Sequence, residues 1–75
     1  MYEYTIILQP DREEGGYVVT VPALPGCVTE GDTVEEAIAN AEEAIAGYIE
    51  SLKLAGEPIP EETVPPRIAK VRVAA

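Results

Sequence analysis

The chain has 75 residues, fourteen acidic and five basic, no histidine and a single cysteine, for a formal charge of −9. That length supports one domain, and a lone cysteine without histidine excludes an intrachain disulfide and a thiolate or imidazole zinc site. A chain this short buries only about 60% of the surface it exposes when unfolded, so self-association is the reinforcement left to it, and a homo-oligomer, a dimer or a tetramer, is expected.

Tyr2 to Gln9 reads as a strand, with Tyr2, Tyr4, Ile6 and Leu8 on one face and Glu3, Thr5, Ile7 and Gln9 on the other. Residues 10–16 form a polar, glycine-ended hairpin connector, and Tyr17 to Val21 is a second alternating strand. Pro22 and Pro25-Gly26 then force a turn, and Cys27 to Glu30 suffices for a short third strand.

Thr33 and Glu36 have capping-box spacing, with Glu36 expected to reach back to the cap amide. Val34, Ala37, Ile38, Ala41, Ile45, Tyr48, Ile49 and Leu52 follow as an apolar stripe at helical spacing, and Gly56 then Pro58 supply the stop. Gly47 weakens the helix and is expected to mark a close packing contact. Residues 57–66 are a proline-rich connector, and Ile68 to Val73 alternates as a fourth strand. The predicted class is therefore α+β: a β-β-β-α-β two-layer domain, with a mainly antiparallel sheet and one long helix on one face.

Two mismatches predict association. A helix of about 22 residues spans roughly 33 Å, whereas strands of six to eight residues reach only ~20–27 Å. The Tyr48–Leu54 end therefore needs cover, from the connector or from another subunit, and Tyr48 and Leu52 become candidate interface residues. The sheet face opposite the helix carries Ile7, Val18 and Thr20 rather than charges, and an open half-apolar face marks a second candidate interface.

Catalysis finds little support. A two-metal nuclease needs converging carboxylates, and the strands offer only Glu3 and Glu30. Cys27 lacks a histidine to activate it and reads as a small buried side chain. The glycines lack phosphate-loop spacing, so no catalytic, cofactor or metal site is assigned. Residues 1–66 hold all fourteen acids and two of the bases, Arg12 and Lys53; Arg67, Lys70 and Arg72 follow without an acid. A field of this sign repels nucleic acid and attracts a basic protein. The chain starts without a signal-like segment and has no apolar run of membrane-spanning length, so the expectation is a cytoplasmic protein that does not bind a membrane.

Tyr17-Val-Val-Thr-Val-Pro-Ala-Leu-Pro-Gly-Cys-Val-Thr-Glu-Gly-Asp-Thr-Val-Glu-Glu-Ala carries more local specification than packing requires. It resembles the signature of HicB-like antitoxins: a strand ending in V-P-x-L-P-G-C, then T-x-G-D-T, then E-E-A opening a helix. The matching positions after Tyr17 are Val21, Pro22, Leu24, Pro25, Gly26, Cys27, Thr29, Gly31, Asp32, Thr33, Glu35, Glu36 and Ala37, and Ile59-Pro60 matches a common ending. Their role reads as architectural. The resemblance implies a partial RNase-H-like fold with the fourth strand parallel to the first. It also implies a partner, a small basic HicA-type toxin that cleaves mRNA, whose catalytic surface the antitoxin blocks. Typical members continue into a DNA-binding module that this sequence does not show, so operator binding is not carried over. Two alternatives stand beside this reading: a stand-alone homo-oligomeric structural or ligand-binding module without a toxin, and a metal-dependent nuclease using Glu3 or Glu30.

Overall fold

The computed structural model describes residues 1–75. Three short strands, β1 (Ile7–Pro10), β2 (Tyr17–Thr20) and β3 (Val28–Gly31), precede one helix, α1 (Val34–Ala55). The strands form an antiparallel sheet in the order β1-β2-β3. Ile7 lies opposite Thr20 and Pro10 opposite Tyr17, while Tyr17 pairs with Gly31 and Thr20 with Val28.

The first hairpin is shaped by Asp11, whose Oδ1 accepts the amides of Glu13 and Glu14 at 3.0 and 3.2 Å. Gly15 and Gly16 at φ 80° and 73° complete the reversal, a conformation open to glycine without steric cost. β1 is shorter than the predicted Tyr2–Gln9. Its ladder begins only at Ile7 because continuing the register sets Thr5 opposite Pro22, which has no amide and begins a turn.

The helix starts at Thr33, an extended N-cap whose Oγ accepts the Glu36 amide at 3.1 Å. Glu36 reaches one residue further back than predicted, accepting the Asp32 amide at 3.1 Å. At the other end Gly56 adopts φ 69°, and the amides of Gly56 and Glu57 satisfy Lys53 and Leu52 carbonyls, closing a Schellman motif. Gly47 does not mark a contact: nothing lies where its Cβ would be. The close approach is at Gly31, where a Cβ would meet the backbone of Ala37 and Glu36.

The core is built around small residues. Val19, Ala37 and Ala41 pack with Ile6, Leu8 and Tyr17, while Val21, Leu24 and Cys27 pack with Tyr4, Ile6, Ala44, Ile45 and Tyr48. Alanines at the helix–sheet contact allow close docking, and the larger stripe members Val34 and Ile38 are left exposed at its rim. The predicted fourth strand is not formed: Ile68–Val73 carries no ladder and is exposed throughout. The domain is α+β with three antiparallel strands and one long helix, and the added parallel strand of the RNase-H-like arrangement is missing. The radius of gyration is 14.4 Å, against about 11 Å for a compact chain of this length. The C-terminal segment projects from the body instead of folding onto it.

Candidate protein-binding surface

The motif segment is local architecture. The Leu24 amide donates to the Val21 carbonyl and the Cys27 amide to the Leu24 carbonyl, both at 3.0 Å, while the Val21 amide closes on the Cys27 carbonyl at 3.3 Å. Two successive turns thus drive Leu24 into the core, where it is fully buried, and Gly26 supplies the positive φ of 82° that the second turn needs. Pro22 and Pro25 face solvent, whereas Thr29 is half-buried and Gly31 buried. The Tyr48 hydroxyl donates to the Pro25 carbonyl at 2.8 Å, tying the helix to the turn. Tyr48, expected at the overhanging helix end, is therefore engaged within the chain. Leu52, Ile59 and Pro60 are half-buried, and Leu54 stays 82% exposed.

Cys27 is buried, and that burial pushes its thiol above the usual 9.0. A thiol that resists ionisation is a poor nucleophile at neutral pH. Burial also raises Tyr4 above its usual 10.0, with Tyr2 and Glu61 adding repulsion, and its hydroxyl donates to the Pro60 carbonyl. Glu3 and Glu30 are not brought into a metal-binding group: nowhere do three His, Cys, Asp or Glu side chains gather to hold an ion. No helix is long and apolar enough to cross a membrane.

The open sheet face is the surface the fold leaves uncovered. Register places Ile7, Thr20 and Val28 in one cross-strand row and Gln9, Val18 and Glu30 in the next. Since Val19 is buried against the helix, its neighbours Val18 and Thr20 turn the other way. Ile7 and Val18 are half-buried, Thr20 is exposed, and Val28 is 58% exposed. Val28 is the member that sequence reasoning missed; alternation from Cys27, buried beside it, is the signal that exposes it. Glu30 is the one acid in these rows, and the other acids lie at the end of the sheet and on the far side of the body. Glu14, Glu30, Asp32 and Glu36 line a cleft with Tyr17 and Asn40 at one end of the sheet, and Glu35, Glu42, Glu43 and Glu50 are exposed on the helix. The arrangement suits adhesion to a cationic protein: a partly apolar face on a body of net negative charge.

Comparison with known proteins bears on the family. Residues 4–72 match the family described as HicB-like antitoxin of bacterial toxin–antitoxin systems. The UPF0150 protein Ta0767 of Thermoplasma acidophilum is 57% identical over 60 residues, 80% of this chain and 86% of that protein. A UPF0150 protein of Synechocystis, ssr1765, is 48% identical over 83% of this chain and 77% of its own length. A protein named Antitoxin HicB 1 from Photorhabdus laumondii is 42% identical over 57 residues, which cover 76% of this chain but only 36% of that antitoxin.

Proposed function

This chain belongs to the HicB-like antitoxin family, and on that premise we propose that it binds a small basic HicA-type toxin through its open sheet face and blocks mRNA cleavage. Family membership suggests a non-enzymatic role and a toxin as the kind of partner. The observation that carries the finer reading is the row Ile7–Thr20–Val28 beside Val18, exposed or half-exposed on a sheet face that no element of the chain covers.

Burying that row offers the apolar contribution to binding, worth about 25 cal/mol per Å² of apolar surface removed from water before association costs are met. The net charge of −9 speeds encounter with a cationic partner and disfavours phosphate. Binding to nucleic acid is therefore no part of this reading, and the place of action is the cytoplasm, where an mRNA-cleaving toxin works. Co-expression with a basic protein encoded next to this one tests the proposal. The expected result is a stoichiometric complex that suppresses RNA cleavage, and suppression lost on Val18→Asp or Val28→Asp while the helical circular-dichroism signal is retained. Absence of a complex, or inhibition indifferent to both substitutions, overturns it.

A second reading is favoured by the exposed C-terminal segment: a stand-alone homo-oligomeric module without a toxin. It expects an assembly that persists in the presence of basic proteins and ignores them, measured by light scattering.

A further inference from the structure

The sheet has two outer edges, and they are not equivalent. On β3 the Glu30 carbonyl is already taken by the Asn40 side-chain amide at 2.7 Å. On β1 the Asp11 amide donates to the Gly16 carbonyl at 2.9 Å, which extends the register in which Ile7 and Gln9 face β2. Backbone groups alternate in direction along an antiparallel strand, so within β1 Leu8 turns its amide and carbonyl to the outer edge, and Pro10, which has no amide, its carbonyl. No hydrogen bond beyond the strand ladder reaches those groups. Such an edge is a template for an added strand.

Ile68–Val73 has the pattern of the strand that would fit. Ala69, Val71 and Val73 alternate with Lys70 and Arg72, yet Ile68, Val71 and Val73 are 82%, 84% and 76% exposed. The segment is also basic, whereas the remainder of the chain holds every acidic residue. Ahead of β1, Tyr2, Tyr4, Ile45, Ala46 and Ile49 line a mainly apolar groove against the helix, with Glu3 and Glu42 also in its lining. An added strand would set its apolar face on that side and its two cations on the other.

The route of the connector decides against folding back. Both Glu62 carboxylate oxygens are held by Thr5, one by its amide at 2.7 Å and one by its hydroxyl at 2.6 Å. Thr63, Val64 and Pro66 then lie with Pro22 and Ala23. The chain therefore leaves the body beside Pro22 and Ala23, on the β2 side of the segment that leads into β1. Pro65-Pro66 follows, and consecutive prolines favour an extended course over a tight reversal. We propose that Ile68–Val73 of one chain adds as a fourth strand to the outer edge of β1 in a second copy, and that two copies exchange these segments in a symmetric dimer. Exchange satisfies both open edges at once and joins each basic segment to an acidic body.

The test uses the purified chain alone, so its outcome is independent of any toxin. Light scattering is expected to show a dimer. Removing residues 67–75, or making Val71→Pro, should raise the dimer dissociation constant by about tenfold or more, because proline removes a ladder donor. The helical circular-dichroism signal should remain, since these residues are exposed. Mixing chains bearing Gln9→Cys with chains bearing Lys70→Cys or Arg72→Cys is expected to give an interchain disulfide under mild oxidation. A monomeric wild-type chain, a dimer unaffected by the removal, or a disulfide forming within a monomeric double variant would each overturn the proposal.

Discussion

The V-P-A-L-P-G-C turn at residues 21–27 and the segment at residues 68–73 are both short and rich in small apolar side chains, yet they end in opposite states. In the turn, three backbone hydrogen bonds close locally and carry Leu24 and Cys27 into the core. In the segment, Ile68, Val71 and Val73 stand in solvent with no ladder partner. The difference lies in where the partners come from. The turn finds its hydrogen-bond acceptors within six residues and its apolar contacts on the helix that follows. The segment needs a strand edge, and its own chain delivers it to the wrong side of strand 1. Apolar alternation states a capacity for pairing and is silent about the partner.

The largest test of that contrast is Leu24→Ala. Removing a fully buried leucine should lower unfolding stability by roughly 2–5 kcal/mol, read by urea denaturation. Close behind is a pair of glycine substitutions that separates packing from propensity. Gly31→Ala drives a methyl into the backbone of Ala37 and should cost at least about 2 kcal/mol. Gly47→Ala meets open space on the helix and should stabilise by up to about 1 kcal/mol. Equal effects at the two positions would refute the packing account of Gly31.

Alkaline pH gives a smaller, signed effect. Cys27 and Tyr4 both have folded pKa values raised above their ordinary ones, Cys27 by burial and Tyr4 by burial first, then by Tyr2 and Glu61. The folded state holds these protons more tightly, so their contribution is complete below the unfolded values near 9.0 and 10.0 and is lost as pH rises through the folded ones. Thermal melts should fall across that window, and Cys27→Ala should remove the thiol's share of the slope. The smallest effect is expected from Val71→Ser. At 84% exposure it should change the stability of the isolated monomer by no more than about 0.5 kcal/mol, in dilute conditions where association is absent. A core-sized loss there would mean that the segment packs against its own body.

Local grammar and long-range placement divided the outcome. The strand order, the helix with Thr33 at its start and Gly56 at its end, and the inward positions of Leu24 and Cys27 follow from turn chemistry, capping and periodicity. Each involves residues a few positions apart. The family signature lies in the same stretch, which is why it was legible there. Of the candidate interface, Ile7, Val18 and Thr20 were readable from alternation, whereas Tyr48 was assigned to an overhang and instead donates to Pro25, 23 residues away in the chain. The true first residue of β1 was hidden because it depends on Pro22 across the hairpin.

By itself, the order of residues determined which stretches turn, coil into helix or extend, because steric and hydrogen-bonding preferences act between near neighbours. It also set the sign of the field, since charge is additive. Only the tertiary structure decided which extended stretches pair, because pairing needs an edge at the right place and on the right side. The Thr5–Glu62 hydrogen bonds, made between residues 57 positions apart, fix where the chain leaves the sheet and so leave the last strand-like segment without a partner of its own.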